Sequence, residues 1–167
     1  MALPLEGVRV LDLTSVMAGP YCSMLLGDMG ADVIKIESFP DGDTSRAFVP
    51  QIRGESYCFT VLNRNKRSLA IDMKSAKGRD IVHQLAKRAD IITENFRPGV
   101  VKKLGLDYET LRQHNSGLVY ASMSGFGQTG PWAKKKGYDF LIQGLGGLMS
   151  ITGKPDAEPG GGPMKVG

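Results

Sequence analysis

No apolar run in this sequence approaches the roughly 20 residues of a membrane-spanning helix. No secretory leader opens it either. Both absences set the expectation of a cytoplasmic protein with no membrane partner. Cysteine is scarce: Cys22 and Cys58 are the two, and both lie in apolar segments. Free, buried thiols in a reducing compartment are the expected state. A strong charge of one sign is missing as well. Lys plus Arg number 21 against 17 Asp plus Glu, an excess of 21 − 17 = 4. The basic residues are scattered, with no basic helix and no aromatic series for stacking bases, so nucleic acid is not an expected partner. So mild an excess suits a small anionic ligand. Three familiar ligand loops are absent too. There is no three-glycine dinucleotide fingerprint and no Walker phosphate loop. Asp41-Gly42-Asp43 lacks the further ligands and the glutamate of a calcium loop, so solvated turn residues and no metal are expected there.

What the chain does have is alternation. Val8 to Leu13 is a short apolar run bounded by Gly7 and Thr14-Ser15, as in a buried strand. Ala18-Gly19-Pro20 opens a helix, where Pro20 is tolerated because a first-turn N–H has no intrahelical partner. Met24, Leu25 and Met29 recur at helical spacing, Gly30 supplies a stop, and Val33 to Ile36 forms a second strand. Strand, helix and strand make a right-handed βαβ unit and imply a parallel sheet.

The later segments repeat the pattern. Glu55 to Asn63 suits a short helix, Asn63 to Arg67 a polar cationic connection, and Ser68 to Asp72 a third strand. Ser75 caps a helix whose apolar face is Ile81, Val82, Leu85, Ala86 and Ala89. Lys77, Arg79, Lys87 and Arg88 form its solvated face, with His83 exposed beside them. Asp90 to Thr93 is a fourth strand, a short helix follows Pro98, and Asp107 caps another. Leu118 to Met123 is the fifth strand, and an apolar helix is expected over Phe140 to Met149. The fold class is therefore α/β: a Rossmann-like, doubly wound, mainly parallel sheet with helices on both faces. Ligands bind such sheets at the carboxyl ends of the strands, which points to the loops Thr14–Gly19 and Glu94–Gly99.

Five strings are more specific than this pattern: PLEGVRVLDLTSVMAGPYCSMLLGDMGADVIKIE, NRNKRSLAIDMK, ENFRPGVVKKLGLDYETL, SMSGFGQTGP and GYDFLIQGLGGLMSITG. In this order they closely resemble the amino-terminal part of class III coenzyme A transferases, the CaiB–BaiF family. That family also holds formyl-CoA and succinyl-CoA-dependent transferases and α-methylacyl-CoA racemases. The resemblance implies a Rossmann-like large domain, a second small domain and two interlocked subunits, hence a homodimer or homo-oligomer. It implies coenzyme A, carried as the acyl-CoA substrate, a carboxylic acid as the second substrate, and no metal. An aspartate carboxylate would attack the thioester to give a mixed anhydride. The returning CoA thiolate would make an aspartyl thioester, from which the acceptor acid takes the CoA.

Carried over by motif, the resemblance assigns Val16, Met17 and Ala18 to the coenzyme at the first strand end. Met17 stands where many transferases have glutamine, and Ser38 where some have arginine near the adenine. Asn95 and Phe96 would flank the adenine and pantetheine, and Lys103 would face phosphate. Lys136, Tyr138 and Asp139 would stand near the thioester. Racemases of the family carry histidine where this chain has Tyr138, and a phenol with an ordinary pKa near 10 is a poor base at neutral pH. Transferase is favoured over racemase.

In the family the nucleophilic aspartate lies a few residues beyond a segment like Gly162 to Gly167. The expected arrangement is residues 1–153 as the CoA-binding part of the large domain and 154–167 as a Gly/Pro-rich connection, truncated before the catalytic aspartate and the small domain. Asp139 is expected to support and not to attack, and the 167-residue chain to be inactive alone. The alternative from another class is a non-catalytic, truncated or split-gene module that binds CoA or a partner chain.

Overall fold

The structure, a computed structural model, describes residues 2–166. The chain divides into two compact units, one ending at Met123 and the other beginning at Ser124.

The first unit runs β1 (Arg9–Asp12), α1 (Ala18–Asp28), β2 (Asp32–Ser38), a 3-10 turn (Thr44–Ala47), β3 (Gln51–Ile52), β4 (Glu55–Ser56), α2 (Tyr57–Leu62), β5 (Lys66–Ile71), α3 (Ala76–Ala86), β6 (Ile91–Glu94), α4 (Val100–Lys103), α5 (Tyr108–Leu111) and β7 (Val119–Ser122). Five strands form one sheet in the order β5-β2-β1-β6-β7, every pair parallel. The α/β expectation holds, and the five strands lie within a few residues of where the apolar runs place them. The β3–β4 hairpin is an addition that the sequence pattern did not signal; each of its strands is two residues long, too short for any alternation.

Successive residues of a strand point to opposite faces, and the two faces bury different sets. Leu11, Leu13, Ile36 and Ile92 join Val82 and Ala86 of α3, Leu106 and Leu111 in the larger core. Val10, Val33 and Ala31 form the smaller one, with Leu26 of α1 against them. Helices therefore cover both faces. Val82 and Ala86 lie on the apolar face of α3 as read from the sequence, but Ile81 is an exception at 41% exposed. Ser75 caps α3 through its hydroxyl to the Gly78 amide at 3.0 Å, and Asp107 caps α5 likewise. Cys22 and Cys58 are free thiols, each only partly buried.

The second unit holds α6 (Asp139–Leu145) and a 3-10 turn (Leu148–Ile151). One apolar helix was expected over 140–149; it divides at Gly146-Gly147, where Gly147 takes φ of 81°, a left-handed value that ends a helix. Gly125 and Gly137 pack backbone to backbone in this unit, so close that a Cβ on Gly125 would lie 2.4 Å from the Gly137 Cα. Among the described residues no helix is long and apolar enough to cross a membrane.

Candidate functional site

The sheet order reverses at β1: its βαβ partner β2 lies on one side and β6 on the other. The loops that leave β1 and β6 therefore diverge around a switch point at the carboxyl edge, where open α/β sheets take their ligands. Both candidate loops from the sequence flank it.

The α1 face of the sheet carries a polar row at this edge. Register sets Thr93 beside Asp12, Asp12 beside Lys35, and Lys35 beside Ser68. Asp12 is fully buried and accepts from the Thr14 amide at 2.9 Å, the Thr14 and Ser23 hydroxyls at 2.5 Å each, Thr93 Oγ1 at 3.2 Å and Lys66 Nζ at 3.1 Å. Lys66 Nζ also donates to the Pro20 carbonyl and Asn63 Oδ1, both at 2.9 Å. Burial pulls the Lys66 ammonium below its ordinary value, and the Asp12 carboxylate opposes that pull. Lys35, 1% exposed, ion-pairs with Asp43 Oδ2 at 2.8 Å and donates to the Thr14 carbonyl at 2.8 Å.

Two expectations are corrected here. Asp43 is not a solvated turn residue but 4% exposed; burial pushes its carboxyl up, and the Lys35 ammonium and the Ser45 amide more than reverse that. Lys66, expected in a polar cationic connection, instead opens β5 and turns its ammonium inward to Asp12. Asp41, by contrast, is exposed as expected.

The polar row fixes the first loop almost atom by atom. The Asn95 side chain accepts from the Ser15 amide at 2.9 Å and donates to the Ser15 carbonyl at 2.8 Å. The Val16 amide donates to the Asp43 carboxylate at 3.1 and 3.3 Å. Val16 takes φ of 70°, a left-handed conformation that costs a β-branched residue on the order of 1–3 kcal/mol. Beyond it α1 starts with no side-chain cap, and Gly19 packs on Thr14 so tightly that a Cβ would meet the Thr14 Cβ at 2.3 Å.

The site residues named from the sequence fall into two groups. Around the switch point, Met17 is 55% exposed, Ala18 is exposed beside it, and Asn95 spends its amide on Ser15. The Phe96 ring packs on the larger core while its amide donates to Glu94 Oε2 at 2.8 Å, and Lys103 is exposed on α4. In the second unit Lys136, Tyr138 and Asp139 are exposed together at the start of α6, with Asp139 accepting from Gln143 Nε2 at 2.8 Å.

Sequence reasoning missed Asp12, Lys35, Glu37 and Asp43 as an ionic cluster. The signal existed: a parallel strand is covered on both faces, so the charges inside VLDL and VIKIE had to be buried and paired. Glu37, also buried, accepts from Arg46 Nε and Nη2 at 2.7 Å each, Ser68 Oγ at 2.6 Å and the Asp43 amide at 2.9 Å. Burial alone would raise its carboxyl; Arg46, then Ser68 and the Asp43 amide, bring it from 4.5 down to about 2. The unfolded chain takes up this proton near 4.5 and the folded one near 2, so the stabilisation is complete above 4.5 and lost as pH falls to 2. Arg46 stands partly in water, which discounts the pair to about 1–2 kcal/mol. Glu37→Gln is expected to lower stability by that amount at neutral pH and to flatten the acid limb, read by denaturant unfolding across this pH window.

Comparison with known proteins gives one answer. The sequence model of CoA-transferase family III matches residues 5–167. The succinate–glutarate CoA-transferase of Agrobacterium fabrum is 47% identical over 98% of this chain and 42% of its own length. The acetyl-CoA:oxalate CoA-transferase of Acetobacter aceti is 44% identical over 93% of this chain and 40% of its own. A CaiB/BaiF family protein from Brucella suis has a crystal structure that superposes with a TM-score of 0.91 at 45% identity, over all of this chain and 44% of that one. The chain thus spans about two fifths of the length of the proteins it matches.

Proposed function

The chain belongs to CoA-transferase family III, and from that premise we propose that it forms the coenzyme A-binding part of an acyl-CoA:carboxylate CoA-transferase. The observation that carries this is the pinned loop Thr14–Val16 at the switch point, which holds Met17 and Ala18 exposed at the carboxyl edge of the sheet. A rigid backbone turn followed by the start of a helix suits an anionic ligand. Coenzyme A fits the residues present: Val16, Met17 and Ala18 would line it, Phe96 would offer a ring, and Lys103 a cation for phosphate. Asn95 would act through Ser15, since both ends of its amide already bond there.

The transfer is proposed to run over an aspartate carboxylate, as a mixed anhydride and then a thioester. Asp139 is not assigned that role; it stands exposed and bonded to Gln143, a supporting position beside Lys136 and Tyr138. Tyr138 in place of a histidine keeps racemisation as the weaker alternative. Residues 1–153 are proposed as the coenzyme-binding part and 154–167 as a connection. A homodimer or homo-oligomer in the cytoplasm completes the proposal. Its support is the apolar surface of the second unit, where Phe140 is 61% and Ile151 83% exposed.

Calorimetric titration of CoA into the 167-residue chain tests the binding claim. Dissociation constants in the micromolar range are expected. Absence of heat from a folded chain would refute a coenzyme site formed by these loops.

A further inference from the structure

We propose that Asp43 and Lys35, buried beneath the Thr14–Val16 loop, are positioning residues that hold it in the shape needed to receive coenzyme A. The proposal rests on the coenzyme reading of that loop. Neither residue is placed to touch a ligand. Both side chains are 1% exposed, and their ammonium and carboxylate are 2.8 Å apart. Each nevertheless spends a second bond on loop backbone: Lys35 Nζ on the Thr14 carbonyl, and Asp43 on the Val16 amide. Asn95 holds Ser15 between them from the β6 side.

A buried ion pair is weak evidence for stability, because apolar side chains of the same volume often serve the core as well. What this pair supplies is backbone geometry. Val16 sits at φ of 70°, where a valine stays only if its surroundings over-determine it. The Asp43 contact to its amide is the restraint nearest to that residue. Asp43 also receives the Ser45 amide at 2.9 Å and the Ser45 hydroxyl at 2.8 Å, so the 3-10 turn fixes the carboxylate in place. A loop held ready before binding loses less freedom when the ligand arrives, and affinity rises accordingly.

The test compares the wild-type chain with Asp43→Asn and Ser45→Ala, using CoA calorimetry and amide exchange by NMR. Asp43→Asn is expected to speed exchange at Ser15 and Val16, to leave Val82 and Ile92 protected, and to weaken CoA about tenfold or more. Ser45→Ala removes one of the bonds that fix the same carboxylate, and is expected to move both readouts in the same direction but by less than Asp43→Asn. Should Asp43→Asn fail to fold with Lys35 left uncompensated, the double variant Lys35→Met/Asp43→Asn takes its place. Unchanged exchange at Val16, or faster exchange with unchanged CoA affinity, would overturn the proposal. If the wild-type chain binds no CoA, the coenzyme reading fails by itself, and the exchange at Val16 alone decides whether the pair holds the loop.

Discussion

Asp12→Ala is expected to destabilise the chain by about 3–5 kcal/mol, the usual result of removing one partner of a buried ion pair. Five donors converge on this carboxylate, from the Thr14 amide and hydroxyl, Ser23, Thr93 and Lys66. The hydroxyls can turn to other acceptors. The Lys66 ammonium, 1% exposed, cannot reach water and keeps only the Pro20 carbonyl and Asn63. Its pKa, already lowered by burial, falls further once the carboxylate is gone. The unfolded variant then binds more protons than the folded one up to the ordinary lysine value of 10.5, so its stability rises with pH across that window. Thermal unfolding is expected to show a midpoint roughly 10 °C below wild type at neutral pH. Part of that loss returns on alkaline titration, and more of it in the double variant Asp12→Ala/Lys66→Met. A neutral-pH loss under 1 kcal/mol would mean that water reaches the network after all.

The second large effect is expected from Gly19→Ala. On helix propensity alone the change gains about 1 kcal/mol, since Gly19 lies inside α1 and its backbone needs no left-handed conformation. Sterics reverse the sign. The new Cβ would stand 2.3 Å from the Thr14 Cβ and 2.5 Å from its Cγ2. Thr14 cannot yield cheaply, because its hydroxyl is bonded to Asp12 and its carbonyl to Lys35. Overpacking of this kind costs about 1–3 kcal/mol, and the displaced loop is expected to lose CoA affinity by at least about tenfold. Denaturant unfolding and CoA titration of the same sample read both quantities. A gain in stability with affinity intact would show that loop and helix can separate without consequence.

Much of this architecture can be read from the order of residues, and the exceptions share a cause. Val8–Leu13 and Val33–Ile36 announce strands because apolar residues crowd a short run, and Ser75 and Asp107 announce helices because a short oxygen-bearing side chain satisfies first-turn amides. The loops that leave β1 and β6 follow from the parallel sheet. What stays hidden depends on pairing over distance. Asp43 looks like a turn residue beside Gly42, and nothing local reveals that Lys35 and the Val16 amide wait for it in the folded chain. The split of the expected 140–149 helix has the same character: its apolar residues continue, and backbone freedom at Gly146-Gly147 decides the break. The family strings pointed to Val16 and Asn95 by position. They did not reveal that Val16 is held in a costly conformation over Asp43, or that Asn95 spends its amide on Ser15 beside it.

The central place of β1 has a consequence for how the chain acquires its structure. Its hydrogen-bonded neighbour β6 comes late, and Asp12 and Thr93 meet across 81 residues. Closing so long a segment costs entropy before any contact repays it, which slows folding in proteins rich in distant pairings. On the ribosome, β1 and β2 can associate early, yet Asp12 must wait for Thr93 and the Ser15 backbone for Asn95. The nascent chain is therefore expected to carry an incomplete ionic row until Thr93 and Asn95 have joined it, with the loop among the last parts to take its final form.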